Sequence, residues 1–447
     1  MPKWGAALAQ RSLWNLGFEQ LYIESPQLDI RRAADGKVYV AGLDLFNDQN
    51  AGGGGGDWIF SQTEIVIRCG KLHWTNEMQS LPTLALNQVD LVIRDQYRHH
   101  EMRLDATPPA ELGGRFSLRG EFSQPLWVSH AGQRRVWEGR VFIEFERVDM
   151  AQLRRHANQH NAKASGDGAL RAWIDVARGQ PTGLTADVAL SRVNITLGPQ
   201  LAPLAMSSLT GRLGARRLDG GFEFFTQNLQ FDTQDGLRWP GGNVTVLHVE
   251  ENGPASASTE LTGNRLDLDA MAQIAKRLPL DSRVHDALAL YAPKGLVERI
   301  QASWRGALDA PASFEAKGRI VRLEVAAHAA RNTPDGAPNA LQKDLPLQIG
   351  TPGVQGAQLD FELSQSGGRA SIGIQNGQLE LPGLFERPVI AMDQLLADLQ
   401  WQISGEHLNV QMSRLNFSNA DAQGEAQFKW RTGDGPVSVG HSRFPGV

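Results

Sequence analysis

The stretch from Glu64 to Glu77 reads EIVIRCGKLHWTNE. Ile65, Ile67 and Cys69 alternate with Val66 and Arg68, and Leu72 and Trp74 resume the alternation after Gly70. A period of two puts apolar side chains on one face of a strand and polar ones on the other. The glycine reads as a turn between two short strands. The same kind of phrase recurs from YIESPQLDIRR and GKVYVAGLDL through LALNQVDLVI, GRFSLRGEF and LTADVALSRVNITL to LNVQMSRLNF. Turn signals fall roughly ten residues apart, the spacing of a meander. In WEGRVFIEFERV, Trp137, Val141, Ile143 and Phe145 share one face, and Glu138, Arg140, Glu144 and Glu146 share the other. That pattern predicts antiparallel strands with one dry face.

Two segments break the alternation. VDMAQLRRHANQH, residues 148–160, has Asp149 as an N-cap and Met150, Leu153 and Ala157 at helical spacing. A second helical section runs over 267–291 and is divided at Pro279. Pro26 marks an edge or a bulge in the first strand. No fixed repeat of solenoid length appears. The expected fold is mainly β: elongated and mostly antiparallel, with two small helical insertions. Sections are expected at 1–148, 149–291 and 292–447.

Composition removes several classes of function. The 447 residues carry 44 basic and 49 acidic side chains, a net charge of −5, so there is no nucleic-acid footprint. The single cysteine, Cys69, excludes an internal disulfide and any CxxC motif, and reads as a buried, inert thiol on a strand. No apolar run reaches the length of a membrane span. The N-terminus has too short an apolar core for a signal peptide, so the literal reading is a chain that is not exported. The other reading is an internal segment of a longer protein, with GHSRFPGV a cut end.

The motifs that could carry chemistry are weak. AGGGGGD at 51–57 lacks the lysine and following helix of a phosphate loop and reads as a linker. His156 and His160 share a helix face, but Ala157 stands where a zinc peptidase needs glutamate. His99 and His100 would point to opposite faces of a strand. Asp360 and Glu362 lie opposite Leu359, Phe361 and Leu363, as on a solvated face. No serine-nucleophile or dinucleotide motif occurs. The eleven tryptophans, Trp58, Trp127 and Trp401 among them, suit strand packing better than sugar stacking. No catalytic residue, metal site or cofactor is expected.

Stripes of this kind bury themselves in a sandwich or line an open groove. In a groove, the lining would come from residues such as Val141, Ile143, Phe145, Leu359, Phe361, Leu408 and Val410. Acyl chains are the matching ligand. At about 0.8 kcal/mol per methylene, two tails of roughly fifteen methylenes cost ~24 kcal/mol to expose to water. A structural or adhesive protein with a closed core is the first alternative. A carbohydrate-active hydrolase, whose carboxylate pair the sequence does not reveal, is the second.

One resemblance covers nearly the whole chain. FEQLYIESPQLDIRRAADGKVYVAGL followed by IVIRCGKLHWTNE is similar to the opening of large AsmA-like proteins of the YhdP type. LDLDAMAQIAKRLPL and LALYAPKGLVERIQASWRG resemble their central helical insert and the phrase after it. QLLADLQWQIS and LNVQMSRLNFSNADAQGEAQFKWR resemble their later strands. The resemblance implies a non-enzymatic periplasmic protein, anchored in the inner membrane by a helix that this sequence lacks. It implies an elongated, curled antiparallel sheet forming an open apolar groove, which moves phospholipid toward the outer membrane. The implied partners are phospholipid acyl chains, and both membranes through terminal regions that this sequence does not include.

Overall fold

The computed structural model describes residues 18–443, apart from 42, 45–58, 61, 79–81, 97, 126–135, 157–162, 199–200, 251–256, 279–281, 308–309, 330–350, 384–386, 406 and 432–438. The glycine run 51–57, Trp58, Trp127, His160 and Pro279 lie outside the described residues. The chain is mainly β and divides into two compact units, each an open, curled sheet. Unit 1 comprises Met1–Thr196, Pro203–Leu218 and Phe231–Gln234; unit 2 comprises Leu197–Ala202, Asp219–Gln230 and Asp235–Val447.

Unit 1 holds β1 (Leu21–Glu24), β2 (Gln27–Arg32), β3 (Val38–Val40), β4 (Leu43–Asp44), β5 (Glu64–Asn76), β6 (Leu84–Gln96), β7 (His99–Thr107), β8 (Phe116–Ser123), β9 (Glu138–Asp149), β10 (Lys163–Ala177), β11 (Gln180–Thr196) and β12 (Leu204–Leu218). From β5 to β12 each strand pairs antiparallel with the next. β1 and β2 both run parallel to β5, broken at Ser25–Pro26, where the sequence marked an edge or bulge. Helix α1 (Met150–His156) follows β9, and the Asp149 carboxylate accepts from the Gln152 N–H at 2.9 Å.

Unit 2 holds most of β13 (Gly221–Thr233), then β14 (Arg238–Trp239), β15 (Asn243–Val249), β16 (Ser258–Asn264), β17 (Leu266–Asp267), β18 (Lys294–Ala307), β19 (Ala310–Val325), β20 (Gly353–Ser364), β21 (Gly367–Glu380), β22 (Val389–Ser404), β23 (His407–Ser418), β24 (Gln423–Arg431) and β25 (Val439–Arg443). β13, β15, β16, β18 and then β19 to β25 pair antiparallel in that order. Helix α2 (Leu268–Ile274), capped by Asp267, and helix α3 (Ser282–Tyr291) form the second insertion.

The stretch quoted first is not a hairpin. Glu64–Asn76 is one strand of 13 residues, and Cys69–Gly70 is a bulge within it. Cys69 has φ +53° and an exposed side chain, which corrects the buried-thiol expectation. The bulge turns the thiol outward and lets Leu72 and Trp74 resume pairing.

This irregularity recurs. Gln88, Arg192, Asn228, Arg265, Arg322 and Asn376 all have φ between +48° and +57° within or between strands. The left-handed region costs an L-residue roughly 1–2 kcal/mol, so its repetition needs a structural return. Gln88, Arg192, Arg322 and Asn376 coincide with shifts of register, and Arg265 separates β16 from β17. Such sites bend the strand and increase its local twist, which curls the sheet. The residue that follows is buried in four cases: Val89, Val193, Leu266 and Leu323. The bulges form a seam along one side of each apolar face. The main dry clusters lie there: Leu86, Val89 and Ala106 in unit 1, and Leu323, Ala357, Ile374, Met392, Leu395 and Ala397 in unit 2.

Candidate functional site

In unit 2 the strand register lines apolar residues into rows that cross the strands. One row runs Phe224, Val246, Leu261, Ala302, Ala316, Leu363, Gly368, Trp401, Val410 and Trp430, one residue from each of ten strands. Nine steps of about 4.8 Å make it ~43 Å long. A parallel row, nearer the seam, contains Ile300, Gly318, Phe361, Ala370, Leu399, Met412 and Phe428. A third contains Leu266, Val297, Ile320, Leu359, Ile372, Ala397 and Leu415.

Ala357 and Ile374 at the seam are 1% exposed, the Phe361 row is half-buried, and at the far edge Phe222, Phe314 and Ile403 are 40–42% exposed while His248 and Thr259, in register between Phe222 and Trp304, are buried. A sandwich core would be dry throughout. Here the seam side is closed and the opposite side is open. Two glycines keep the lining smooth. A Cβ on Gly318 would lie 2.8 Å from the Phe361 ring, and one on Gly368 would lie 2.6 Å from the Trp401 ring. Their absence lets both rings lie flat along the sheet.

Unit 1 has the same construction. Ile67, Leu91, Leu104, Leu118, Ile143, Ala172, Ala186 and Leu213 form one row from β5 to β12. Ile65, Ile93, Met102, Gly120, Val141, Ile174, Leu184 and Ala215 form the next.

The seven residues expected to line a groove fall on these faces. Val141 and Ile143 are half-buried members of the unit 1 rows. Phe145 is 6% exposed and stacks on Phe116 with ring centroids 5.0 Å apart, so it belongs to the closed, seam side. Leu359 and Phe361 lie on adjacent rows of unit 2. Val410 pairs with Trp401 and Trp430, and Leu408 sits opposite Ile403 at the open edge. The sequence reading missed Gly318, Gly368 and the aromatic edge, because cross-strand neighbours emerge only once register is known.

It also passed over His100. As expected, His99 is exposed and His100 faces the other way, but His100 is 2% exposed at the end of the apolar face of unit 1. Its Nδ1 lies 2.5 Å from Oδ1 of the buried Asp95. Its ring stacks on Trp137 at 4.4 Å, and Phe60 meets both edge-on. His100 Nε2, Asp95 Oδ2 and Trp137 Nε1 have no hydrogen-bond partner among the described residues. Burial raises the pKa of Asp95, against the lowering effect of the His100 hydrogen bond. The folded state therefore holds this proton more tightly than the unfolded chain does. The stability it contributes is complete below the ordinary value of 3.8 and is lost as pH rises through the folded value. Asp95→Asn, which mimics the protonated form, is expected to unfold at higher urea than the parent at neutral pH. The gap should close as pH falls toward 4; a gap independent of pH would show that charge burial is not the cause.

The opposite face is laced with cross-strand ion pairs. Glu144 pairs with Arg171, Asp187 with Arg212, Asp360 with Arg299 and Arg319, and Asp398 with Arg414. A trough of about 1150 Å³ in unit 2 is lined both by polar residues, among them Glu260, Lys317, Glu362 and Arg369, and by members of the first apolar row, Leu261, Ala302, Leu363, Trp401, Val410 and Trp430. No group of three or more His, Cys, Asp or Glu residues positioned to hold a metal occurs among the described residues.

A family model described as "YhdP protein" matches residues 2–441. The chain belongs to the YhdP family. Searches of curated proteins and of solved structures each return no match. Membership of the YhdP family accords with the open sheet and its apolar rows, and the resemblance read from the strand phrases is confirmed. Among the described residues no helix is long and apolar enough to cross a membrane.

Proposed function

We propose that this YhdP-family chain carries phospholipid by passive conduction along its apolar face, in the periplasm between the inner and outer membranes, without catalysis. One observation carries the reading: the apolar rows run across successive strands, and the Phe361 row and the far edge of unit 2 stay half-buried or exposed instead of closing into a core. The family supports it through its place among AsmA-like lipid-transport proteins. Nothing in the mechanism needs a reacting group. Tails exposed to water would cost ~24 kcal/mol by methylene count; rows of Leu, Ile, Val and Phe remove most of that cost. A lipid moving from one strand to the next meets the same chemistry about every 4.8 Å, so no step is a large barrier. Val141, Ile143, Leu359, Phe361, Leu408 and Val410 contact the tails in this scheme, and Phe145 supports the closed side.

Photo-crosslinking in cells tests this. A photo-activatable residue at Phe361 in the full-length protein is expected to capture labelled phospholipid, and the same residue at neighbouring Glu362 is not. Absence of label at Phe361, Ile143 and Val410 alike would end the lipid reading in favour of a structural protein.

A further inference from the structure

We infer that unit 1 docks a second copy of this chain through a patch on its polar face, with Phe142 and Trp173 in the contact and Arg119 of each copy set against Glu121 of the other. The patch follows from the register. From β7 to β12, three neighbouring rows face away from the apolar rows, and at all but two of their positions the residue is charged, bears a hydroxyl or is glycine. The two exceptions are Phe142 and Trp173, direct register partners with ring centroids 5.4 Å apart. Phe142 stands between Arg140 and Glu144 on the wet side of β9, and Trp173 between Arg171 and Asp175 on the wet side of β10. Both rings are only half-buried.

Their surroundings have the chemistry of an interface. Every cation in these rows is an arginine and none is a lysine. Aromatic residues and arginine are enriched where proteins meet, and lysine is depleted. The platform is also fixed before any partner arrives. Arg140, Arg171 and Arg212 are held by Asp175, Glu144 and Asp187 at 2.6–2.7 Å, and the Arg212 guanidinium lies 5.5 Å from the centre of a Trp173 ring. Side chains already ordered lose little freedom on docking.

Charge selects the partner. Arg119, beside Phe142 in the register, and Glu121, two residues further along β8, are exposed and have no ion-pair partner among the described residues. Across the strands Arg119 faces Arg103 and Glu121 faces Glu101. Like charges directly opposite one another are unfavourable in a sheet. A twofold axis that crosses the strands midway between the Arg119 row and the Glu121 row repairs both. It sets the arginine pair of one copy over the glutamate pair of the other. It also brings Phe142 of each copy over the Arg140 guanidinium of the other, a cation–π contact. Such an interface uses the same surface twice, so one sequence supplies both halves of the complement. The contact lies on the face opposite the apolar rows, leaves them open in both copies and does not depend on the lipid reading.

Sedimentation of the full chain over a concentration series tests this. The parent should pass from monomer to dimer as concentration rises. Arg119→Glu and Glu121→Arg should each weaken the dimer roughly tenfold or more, because each sets like charges together across the axis. Mixing the two variants in equal amounts should restore dimers, since each then offers the charges that the other lacks. Trp173→Ala should weaken the dimer too, with its melting temperature measured alongside; the two charge variants, at exposed positions, carry the test if it unfolds. A parent that stays monomeric at every concentration would overturn the inference, and so would a dimer indifferent to both charge variants. Variants that remain monomeric when mixed would overturn the pairing across the axis. A monomeric parent whose photo-activatable residue at Thr185 captures a different protein in cells would give the patch to that partner instead.

Discussion

Replacing His100 by alanine is expected to destabilise unit 1 by about 3–5 kcal/mol, the cost of leaving one partner of a buried polar pair uncompensated. The Asp95 carboxylate would then sit in a dry site with neither oxygen hydrogen-bonded, and Trp137 would lose the ring stacked on it. The unfolding midpoint in urea measures the effect. The double variant with Asp95→Asn separates charge from packing. If the loss is mainly the stranded carboxylate, His100→Ala should cost markedly less once residue 95 is neutral, with a coupling within the usual range of about 0.5–3 kcal/mol. Equal costs in both backgrounds would assign the whole effect to the lost ring. The pair belongs to stability, since it closes one end of the apolar face and leaves the rows open.

Much of this architecture is legible in the sequence because alternation survives tertiary folding. The two faces of β9, the outward Asp360 and Glu362, and the helical breaks after Asp149 and Asp267 all follow from local pattern. The seam is less obvious, yet it leaves a trace. In LALNQVDLVI the apolar positions are Leu84 and Leu86, then Val89, Leu91 and Ile93, a slip of one residue across Asn87–Gln88. VALSRVNI slips at Ser191–Arg192, RIVRLEV at Val321–Arg322, and IVIRCGKLHW at Arg68–Cys69. A one-residue slip flips every later side chain to the other face unless a bulge absorbs it. Taken singly, RCGK reads as a turn; taken together, the slips mark where each strand bends. Asn376–Gly377 shows why the local signal misleads. It is a common hairpin dipeptide, yet it lies inside β21 because Gly356 opposes it and the chain on both sides is already paired. His100 left no trace, because its burial depends on Phe60 and Trp137, which are far away in sequence. The gradient from closed seam to aromatic edge also needs register, since Phe314 and Trp304 face each other across two strands.

Two carboxylates placed side by side on the apolar face should stop lipid movement, whereas the same two placed on the opposite face should not. Ala370 and Leu399 are register partners on β21 and β22 in the half-buried row of unit 2, and Gln400 and Gln411 are register partners on β22 and β23 on the polar face. In the Ala370→Asp, Leu399→Asp variant the carboxylates keep their water, so a passing tail loses contact there over about five methylenes. At about 0.8 kcal/mol each, that adds ~4 kcal/mol to one step, or roughly a thousand-fold in rate. Because the rows act in series, one slow step limits the whole path. The Gln400→Asp, Gln411→Asp control carries the same added charge and the same like-charge repulsion across strands, so it corrects for any loss of stability. Transfer of labelled phospholipid between membranes in cells is the readout, with the melting temperatures of both variants measured alongside. Transfer lost in the first and kept in the second would place the lipid path on the apolar rows. Equal transfer in both, with both folded, would mean that lipid does not cross unit 2 on this face, and the conduit would have to be abandoned.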